Sequence, residues 1–211
     1  MRVEIWSDIN CPFCYLGKKR FEQALAQFDG ADDVEVVHRS FELDPTLPAD
    51  ASQPVLGALA AKYGMSPEQA AAGEARLAAQ AHDAGLDYVT QGRDMGNSFD
   101  MHRLVHFAAE QGRAEAMLDA FYAANFAEDG AAFGDRQRLI DVAVGAGFDE
   151  EAVRAVVDDP QAYADAVRED ESQAAQLGVT GVPFFVFDRA LAVSGAQPVE
   201  TFAAALQRAA G

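Results

Sequence analysis

The spacing of apolar residues changes twice within the first forty-three positions. Val3, Ile5 and Trp6 alternate weakly over residues 2–7, which predicts a first strand. Leu16, Phe21, Leu25 and Phe28 then recur at helical spacing up to Gly30, with Lys18, Lys19 and Arg20 between them. Pro12 suits the first turn of that helix, where its missing N–H costs nothing. Val34, Val36, Val37, Phe41 and Leu43 predict a second strand over 34–43, ended by Asp44-Pro45. Strand, helix and strand at this spacing form a right-handed crossover with parallel strands.

The middle of the chain reads as helical. Ser66-Pro67-Glu68-Gln69 combines an N-cap, a first-turn proline and a capping-box partner, and predicts a long Ala-rich helix to about Gly85. A further helix starts after Asn97 or Ser98 and stops near Gly112. Others follow at 114–127, 136–145, 150–158 and 161–177, separated by Gly130, Gly147 and Pro160. The pattern changes at Gly178. Phe184 to Phe187 and Leu191 to Val193, joined by Asp188-Arg189-Ala190, read as a hairpin, and Pro198 opens a terminal helix through Phe202 and Leu206. The order is therefore βαβ, a block of helices, then ββα. Neither sheet-forming end buries both its faces alone, so the two must meet in one mixed sheet with helices on its faces. The expected fold class is α/β of the thioredoxin type. Residues 1–50 and 178–211 would form the thioredoxin-like domain, and 51–177 an inserted helical subdomain.

Composition narrows the function. Sixteen basic against 34 acidic side chains leave a formal charge of −18 on 211 residues. Such a surface repels phosphate backbones and anionic lipid heads, so neither nucleic acid nor membrane is an expected partner. No apolar run approaches the ~20 residues of a spanning helix. The chain opens directly on a strand, which leaves no room for a signal peptide's apolar stretch, and a cytoplasmic location is expected.

Cys11 and Cys14 are the only cysteines. A bridge between them closes too short a loop to staple distant segments. Without an export signal, Cys-x-x-Cys after a strand reads as redox chemistry or as half a zinc site. His102-x-x-x-His106 could supply the other half. The separation is far longer than in a zinc finger, however, and Pro12 with the first helix already accounts for the cysteines. No metal is expected. Cys11 at a helix start faces unpaired N–H groups and the positive end of the dipole, which favour the attacking thiolate. Cys14, one turn inside, would be the resolving thiol. Near the far end, Thr180-Gly181-Val182-Pro183-Phe184 places a proline just before a strand. A cis Val182–Pro183 bond would keep a donor out of the site and present the Val182 backbone to an extended substrate. An ordinary trans proline at a strand edge fits the position equally well.

The stretch Trp6-Ser7-Asp8-Ile9-Asn10-Cys11-Pro12-Phe13-Cys14-Tyr15-Leu16-Gly17, with Gly181-Val182-Pro183, resembles the DsbA family of thiol–disulfide oxidoreductases, in its cytosolic FrnE-like branch. Ser40 to Pro45, Asn97 to Leu104 and Val193 to Gln197 extend the resemblance over nearly the whole chain. It implies a thioredoxin fold with a helical insertion, a redox Cys11–Cys14 pair and a cis Pro183. Pro12, Phe13, Val182, Pro183 and Asn97 would contact substrate, and no cofactor is implied. The partners would be disulfide or dithiol proteins or low-molecular-weight thiols. The same superfamily holds 2-hydroxychromene-2-carboxylate isomerases and kappa-class glutathione transferases, which place Ser at the first cysteine and use bound glutathione. A thiol-dependent isomerase or transferase acting on an aromatic small molecule is therefore the alternative enzyme. A client-holding module with incidental redox activity is the alternative outside enzymes. Phe13 stands where the periplasmic members carry His, and Phe offers neither hydrogen bond nor positive charge, so a less oxidising couple is expected.

The remaining candidates have plainer readings. Asn10 is expected to cap the first helix, although Asp8 could also cap it or tune Cys11. Asn97 or Ser98 would cap a helix, with Leu104 and Phe107 in the core and Arg103 solvated. Trp6 and Tyr15 would pack. The acidic residues over 149–171, Glu169, Asp170 and Glu171 among them, would be solvated helix faces.

Overall fold

Val3 and Ile5 face one side of β1 (Arg2–Ser7) and Trp6 the other, and each side meets its own apolar cluster. The computed structural model describes residues 1–211 and contains two compact units, Met1–Leu43 with Val167–Gly211, and Asp44–Ala166. In the first unit, β1 leads into α1 (Pro12–Leu25), a 3₁₀ turn (Ala31–Asp33) and β2 (Glu35–Ser40). β2 pairs parallel with β1, Val3 opposite Val36. The later elements of the chain complete a sheet of order β2-β1-β5-β6. Here β5 (Phe184–Phe187) runs antiparallel to β1, with Ile5 opposite Phe185, and β6 (Leu191–Ser194) closes the edge. Three residues, Asp188-Arg189-Ala190, join β5 to β6; Asp188 and Arg189 take left-handed φ of 46° and 54°, and Ala190 N donates to Phe187 O at 2.9 Å to close the turn. Asp188 Oδ1 accepts from Arg2 N at 2.6 Å, tying the turn to β1.

One cluster joins Val3, Ile5, Phe21 of α1, Phe185 and Phe187 to Phe202 and Leu206 of the last helix, α9 (Val199–Ala210). Its aromatic rings meet edge to face, Phe185 and Phe202 with centroids 4.6 Å apart. On the other face Trp6 packs with Ala174 of α8 (Ala164–Gln176), Val179 and Val186. The Trp6 indole N–H donates to Asp170 O at 2.9 Å. Asp170, expected on a solvated face, is buried. Its carboxylate accepts from Arg39 at 2.8 Å and from Ser40 N at 3.0 Å, so the charge is neutralised where α8 crosses β2. Glu4, on the same face as Trp6, is paired with Arg39 and Arg189.

The second unit holds the inserted helices. β3 (Ser52–Pro54) and β4 (Asp94–Gly96) form an antiparallel ribbon, and between them lie α2 (Val55–Tyr63) and α3 (Pro67–Asp83). The ribbon and α2 were not legible from apolar spacing. At Gly96 the chains approach so closely that a Cβ would stand 2.0 Å from Ala51 O. α3 begins with the expected capping box, Ser66 accepting from Gln69 N and Gln69 returning to Ser66 N. α4 (Phe99–Glu110) packs on α5 (Ala114–Phe126), and α6 (Arg136–Gly145) on α7 (Glu150–Asp158). Arg103, expected in solvent, is buried. It donates to Val156 O, Asp159 O and Ala162 O, closing the C-terminal end of α7, and to Asp100 at 2.6 Å. Three backbone carbonyls and one carboxylate around one guanidinium explain why the cation is drawn inward.

Candidate active site

Both cysteines belong to the start of α1. Cys11 is the N-cap, with φ −93° and ψ 109°, and Pro12 takes the first helical position. Asn10 was expected to cap, but it does not. The turn from Asp8 to Cys11 is closed by Cys11 N donating to Asp8 O at 3.0 Å, and Asn10 N donates to Asp8 Oδ1 at 3.2 Å. Asp8 is the local acceptor because its carboxylate stands two residues before the amide it receives. Cys14 N and Tyr15 N both donate to Cys11 O, at 2.9 and 3.3 Å, which winds the first turn around the first cysteine.

The two sulfurs differ in surroundings. Cys11 is 4 % exposed and Cys14 1 %, and both are free thiols. Burial pushes the Cys14 thiol well above its ordinary value. Its hydrogen bond to the Cys11 side chain, the charge of Cys11 and the charge of Asp8 act in the same direction, and only the Asp8 N–H pulls it back. Cys14 therefore waits protonated beneath Cys11.

Val182 comes to the same place from the other end of the chain. Its carbonyl oxygen lies 3.5 Å from Cys11 Sγ and accepts from the thiol. The Val182–Pro183 peptide is cis. Pro183 is braced from two directions. Gly195 N donates to Pro183 O at 2.8 Å, and Arg20 on α1 donates to Ala196 O at 2.7 Å. Gly17 lets α1 come close, since a Cβ there would stand 2.9 Å from Pro183 Cγ and 3.3 Å from Ala196 Cα. Phe13, between the cysteines, is 46 % exposed. Leu43, 39 % exposed, has its amide bonded to Asp8 Oδ2 at 2.8 Å. Phe13 and Leu43 are thus exposed apolar side chains, one between the two cysteines and the other tied through its amide to Asp8.

Of the residues singled out from sequence, Cys11, Cys14, Pro12, Phe13, Val182 and Pro183 share this one unit. Asn97 lies in the other. There its Nδ2 donates to Leu47 O at 2.8 Å and its Oδ1 accepts from Phe99 N at 2.9 Å, so its amide holds the entry to α4. His102, on α4, is buried, and no three His, Cys, Asp or Glu side chains are gathered as a metal ion would require.

Residues 2–207 match the DSBA-like thioredoxin domain. The chain belongs to that family. A solved relative described as the probable DsbA oxidoreductase SCO1869 from Streptomyces coelicolor is 64 % identical. The match covers all of this chain and 90 % of that one, with a TM-score of 0.97. The DSBA-like fold is shared more distantly with a 2-hydroxychromene-2-carboxylate isomerase (18 % identity, 99 % and 95 % of the two chains, TM-score 0.73). It is shared too with the cytosolic disulfide reductase DsbM from Pseudomonas aeruginosa, solved with GSH (20 % identity, 99 % and 98 %, TM-score 0.66). A curated relative, the uncharacterized protein YwbO of Bacillus subtilis, is 41 % identical over 46 residues, and the match spans 22 % of this chain and 21 % of that protein. No helix is long and apolar enough to cross a membrane.

Sequence reasoning passed over three residues beside the cysteines and Pro183, and weighed a fourth, Asp8, against the wrong thiol. Leu43 was read only as a strand residue and Arg20 only as a polar position of α1. Gly17 carried a readable signal, because a glycine inside a helix costs about 1 kcal/mol against alanine and needs a reason. Asp8 was weighed as a cap or a tuner of Cys11, whereas the thiol it touches is Cys14.

Proposed function

We propose that this DSBA-like protein is a thiol–disulfide oxidoreductase in which Cys11 attacks and Cys14 resolves. The observation that carries the reading is the pair itself. One reduced sulfur stands at a helix N-cap, and a second, buried and protonated, donates to it from one turn below. Cys11, as thiolate, attacks one sulfur of a substrate disulfide and expels the other as a thiolate. Cys14 then attacks the Cys11 sulfur, and the second substrate sulfur leaves. The dithiol loses two electrons and the substrate gains them.

Val182 and Pro183 would align an extended substrate against Cys11, with Pro12 and Phe13 as the apolar lip. Substrates would be protein disulfides or low-molecular-weight thiols in the cytoplasm. Phe13 supplies no donor to the Cys11 sulfur, which favours a couple less oxidising than one with His at that position. Because Cys11 supplies its own thiol, the site has no need of a bound one, as the isomerase reading would require.

Reduction of insulin disulfides followed by turbidity tests the proposal. Cys11→Ser should abolish activity with folding retained, and Cys14→Ser should trap a mixed disulfide visible on a non-reducing gel. Full activity in both serine variants would rule the proposal out.

A further inference from the structure

The inserted unit, Asp44–Ala166, holds most of the chain's acidic residues and half of its basic ones. It also holds a cavity of about 220 Å³ with no part in the thiol chemistry. Three segments of this unit converge there: the loop before β3, the start of α4 and the loop before α6. Buried Asp94 ties them together, accepting from Ser52 Oγ at 2.5 Å, Ala132 N at 2.7 Å and Phe133 N at 3.1 Å. Gly134 takes φ 74°, and a Cβ there would stand 3.1 Å from Asp50 O, so the segments carrying Asp50 and Asp135 lie against each other.

The buried part of the lining is apolar: Met101, Phe133 and Leu139. The polar part is acidic, with Asp50, Asp100 and Asp135. The fold uses little of their capacity. Asp135 takes Gln137 N and Arg138 N on one oxygen, Oδ1, to cap α6, and Asp100 takes Arg103 on its Oδ1. Oδ2 of each, and both oxygens of Asp50, have no partner within the fold. The cation on the lining, Arg136, is drawn off to Asp158 of α7. Arg103 answers Asp100, so Asp50 and Asp135 leave the cavity net negative above an apolar floor.

Such a lining complements a side chain with a methylene stem and a cationic head. The carboxylates are not gathered closely enough to share a metal ion, so a forked head with several donors serves them better than a point charge. That selects a guanidinium over an ammonium. Free arginine would carry its own carboxylate into the same negative field, whereas an arginine within a polypeptide does not. The volume falls below the ~300–1,000 Å³ of sites for whole small molecules, which again suits one side chain. We propose that this cavity takes an arginine side chain of an extended partner polypeptide. The assignment goes beyond the oxidoreductase reading and does not depend on it, since no sulfur takes part.

A cysteine-free peptide with one arginine among glycines and serines, blocked at both ends, tests the cavity apart from thiol exchange. Titrated at low salt into the intact protein labelled at its methionine methyls, it should shift the Met101 signal and leave that of Met65, between α2 and α3, in place. The citrulline peptide, equal in shape and neutral, should bind about tenfold more weakly or worse, and the lysine peptide about threefold more weakly. Asp50 has no partner to lose, so Asp50→Lys should fold normally and weaken the arginine peptide about tenfold or more. Glu151→Lys, on α7, should weaken it less than about twofold. Equal losses in the two variants would show general attraction to an acidic chain and overturn the proposal. Lysine binding as tightly as arginine, free arginine binding as tightly as the peptide, or a Met101 signal unmoved by millimolar peptide would each overturn it too.

Discussion

Gly17 offers the sharpest test of how α1 and the Pro183 loop are fitted together. It lies inside an ordinary α-helix and has no left-handed φ, so its backbone would accept any residue. On propensity alone, Gly17→Ala should stabilise the helix by about 0.8–1 kcal/mol. Space says otherwise. The new methyl would stand 2.9 Å from Pro183 Cγ, 3.3 Å from Ala196 Cα and 3.4 Å from Ala196 Cβ. Carbon atoms rest at about 3.5–4.0 Å, so the proline ring would have to retreat by about 0.6 Å. The ring cannot yield by rotating a flexible side chain. Its carbonyl is bound to Gly195 N, and Ala196 O is held by Arg20 of the same helix. Overpacking of this kind costs about 1–3 kcal/mol, which outweighs the propensity gain. The expected result is a net loss of up to about 2 kcal/mol in urea denaturation, and more for Gly17→Val. The retreat also carries the Val182 carbonyl away from Cys11, where it now stands 3.5 Å from the sulfur. Insulin reduction should therefore fall in Gly17→Ala, while alkylation of Cys11 by a small reagent changes little. A variant that gains the full propensity increment and keeps wild-type exchange would refute the reasoning.

Three further tests probe buried groups. The folded protein keeps Cys14 protonated to a higher pH than the unfolded chain does, so this thiol leaves stability untouched below the ordinary value of 9.0. Above it stability falls with rising pH. Cys14→Ala should flatten that alkaline slope in urea titrations of the reduced protein, and an unchanged slope would contradict the assignment. Burial alone would raise Glu4, but hydrogen bonds and charge from Arg39 and Arg189 outweigh it and hold the carboxyl below its ordinary 4.5. Its contribution is complete above that value and lost as pH falls through the lowered one, so Glu4→Gln should reduce the loss of stability in acid. Arg103→Ala strands the carbonyls of Val156, Asp159 and Ala162 and should cost about 3–5 kcal/mol by chemical denaturation; a loss below about 1 kcal/mol would show that water replaces the guanidinium.

Sequence patterning marked the four strands of the larger sheet and eight of the nine helices, α2 excepted, and most of those elements bury an apolar stripe. Phe21 meets Phe185 and Phe202, and Leu104 and Phe121 lie wholly inside, so period and burial coincide. Where burial is partial the signal fades. Along α2 only Val55 and Ala58 are buried, and in the β3 ribbon all three residues are exposed, leaving no stripe to detect. Charge misled for the converse reason. Asp170 and Arg103 look like solvent residues by type, and each is drawn inward by acceptors or donors that arrive from distant parts of its own unit: Arg39 and Ser40 for Asp170, the end of α7 for Arg103. No local window holds that information.

The site divides along the same line. Two residues between cysteines place them on one helical turn, so the position of Cys11 at the N-cap and of Cys14 inside the helix follows from local geometry. What distinguishes their chemistry is supplied from outside α1. The fold brings Val182 O to the Cys11 sulfur across 171 residues of chain, and brings the Leu43 amide to Asp8 across 35. A spacing motif can thus announce that a thiol pair exists, while contacts from distant parts of the chain give the two sulfurs different surroundings. Other chains carrying the same four-residue motif can therefore differ in exchange rate and direction, because Asp8, Gly17 and the brace on Pro183 all lie outside it.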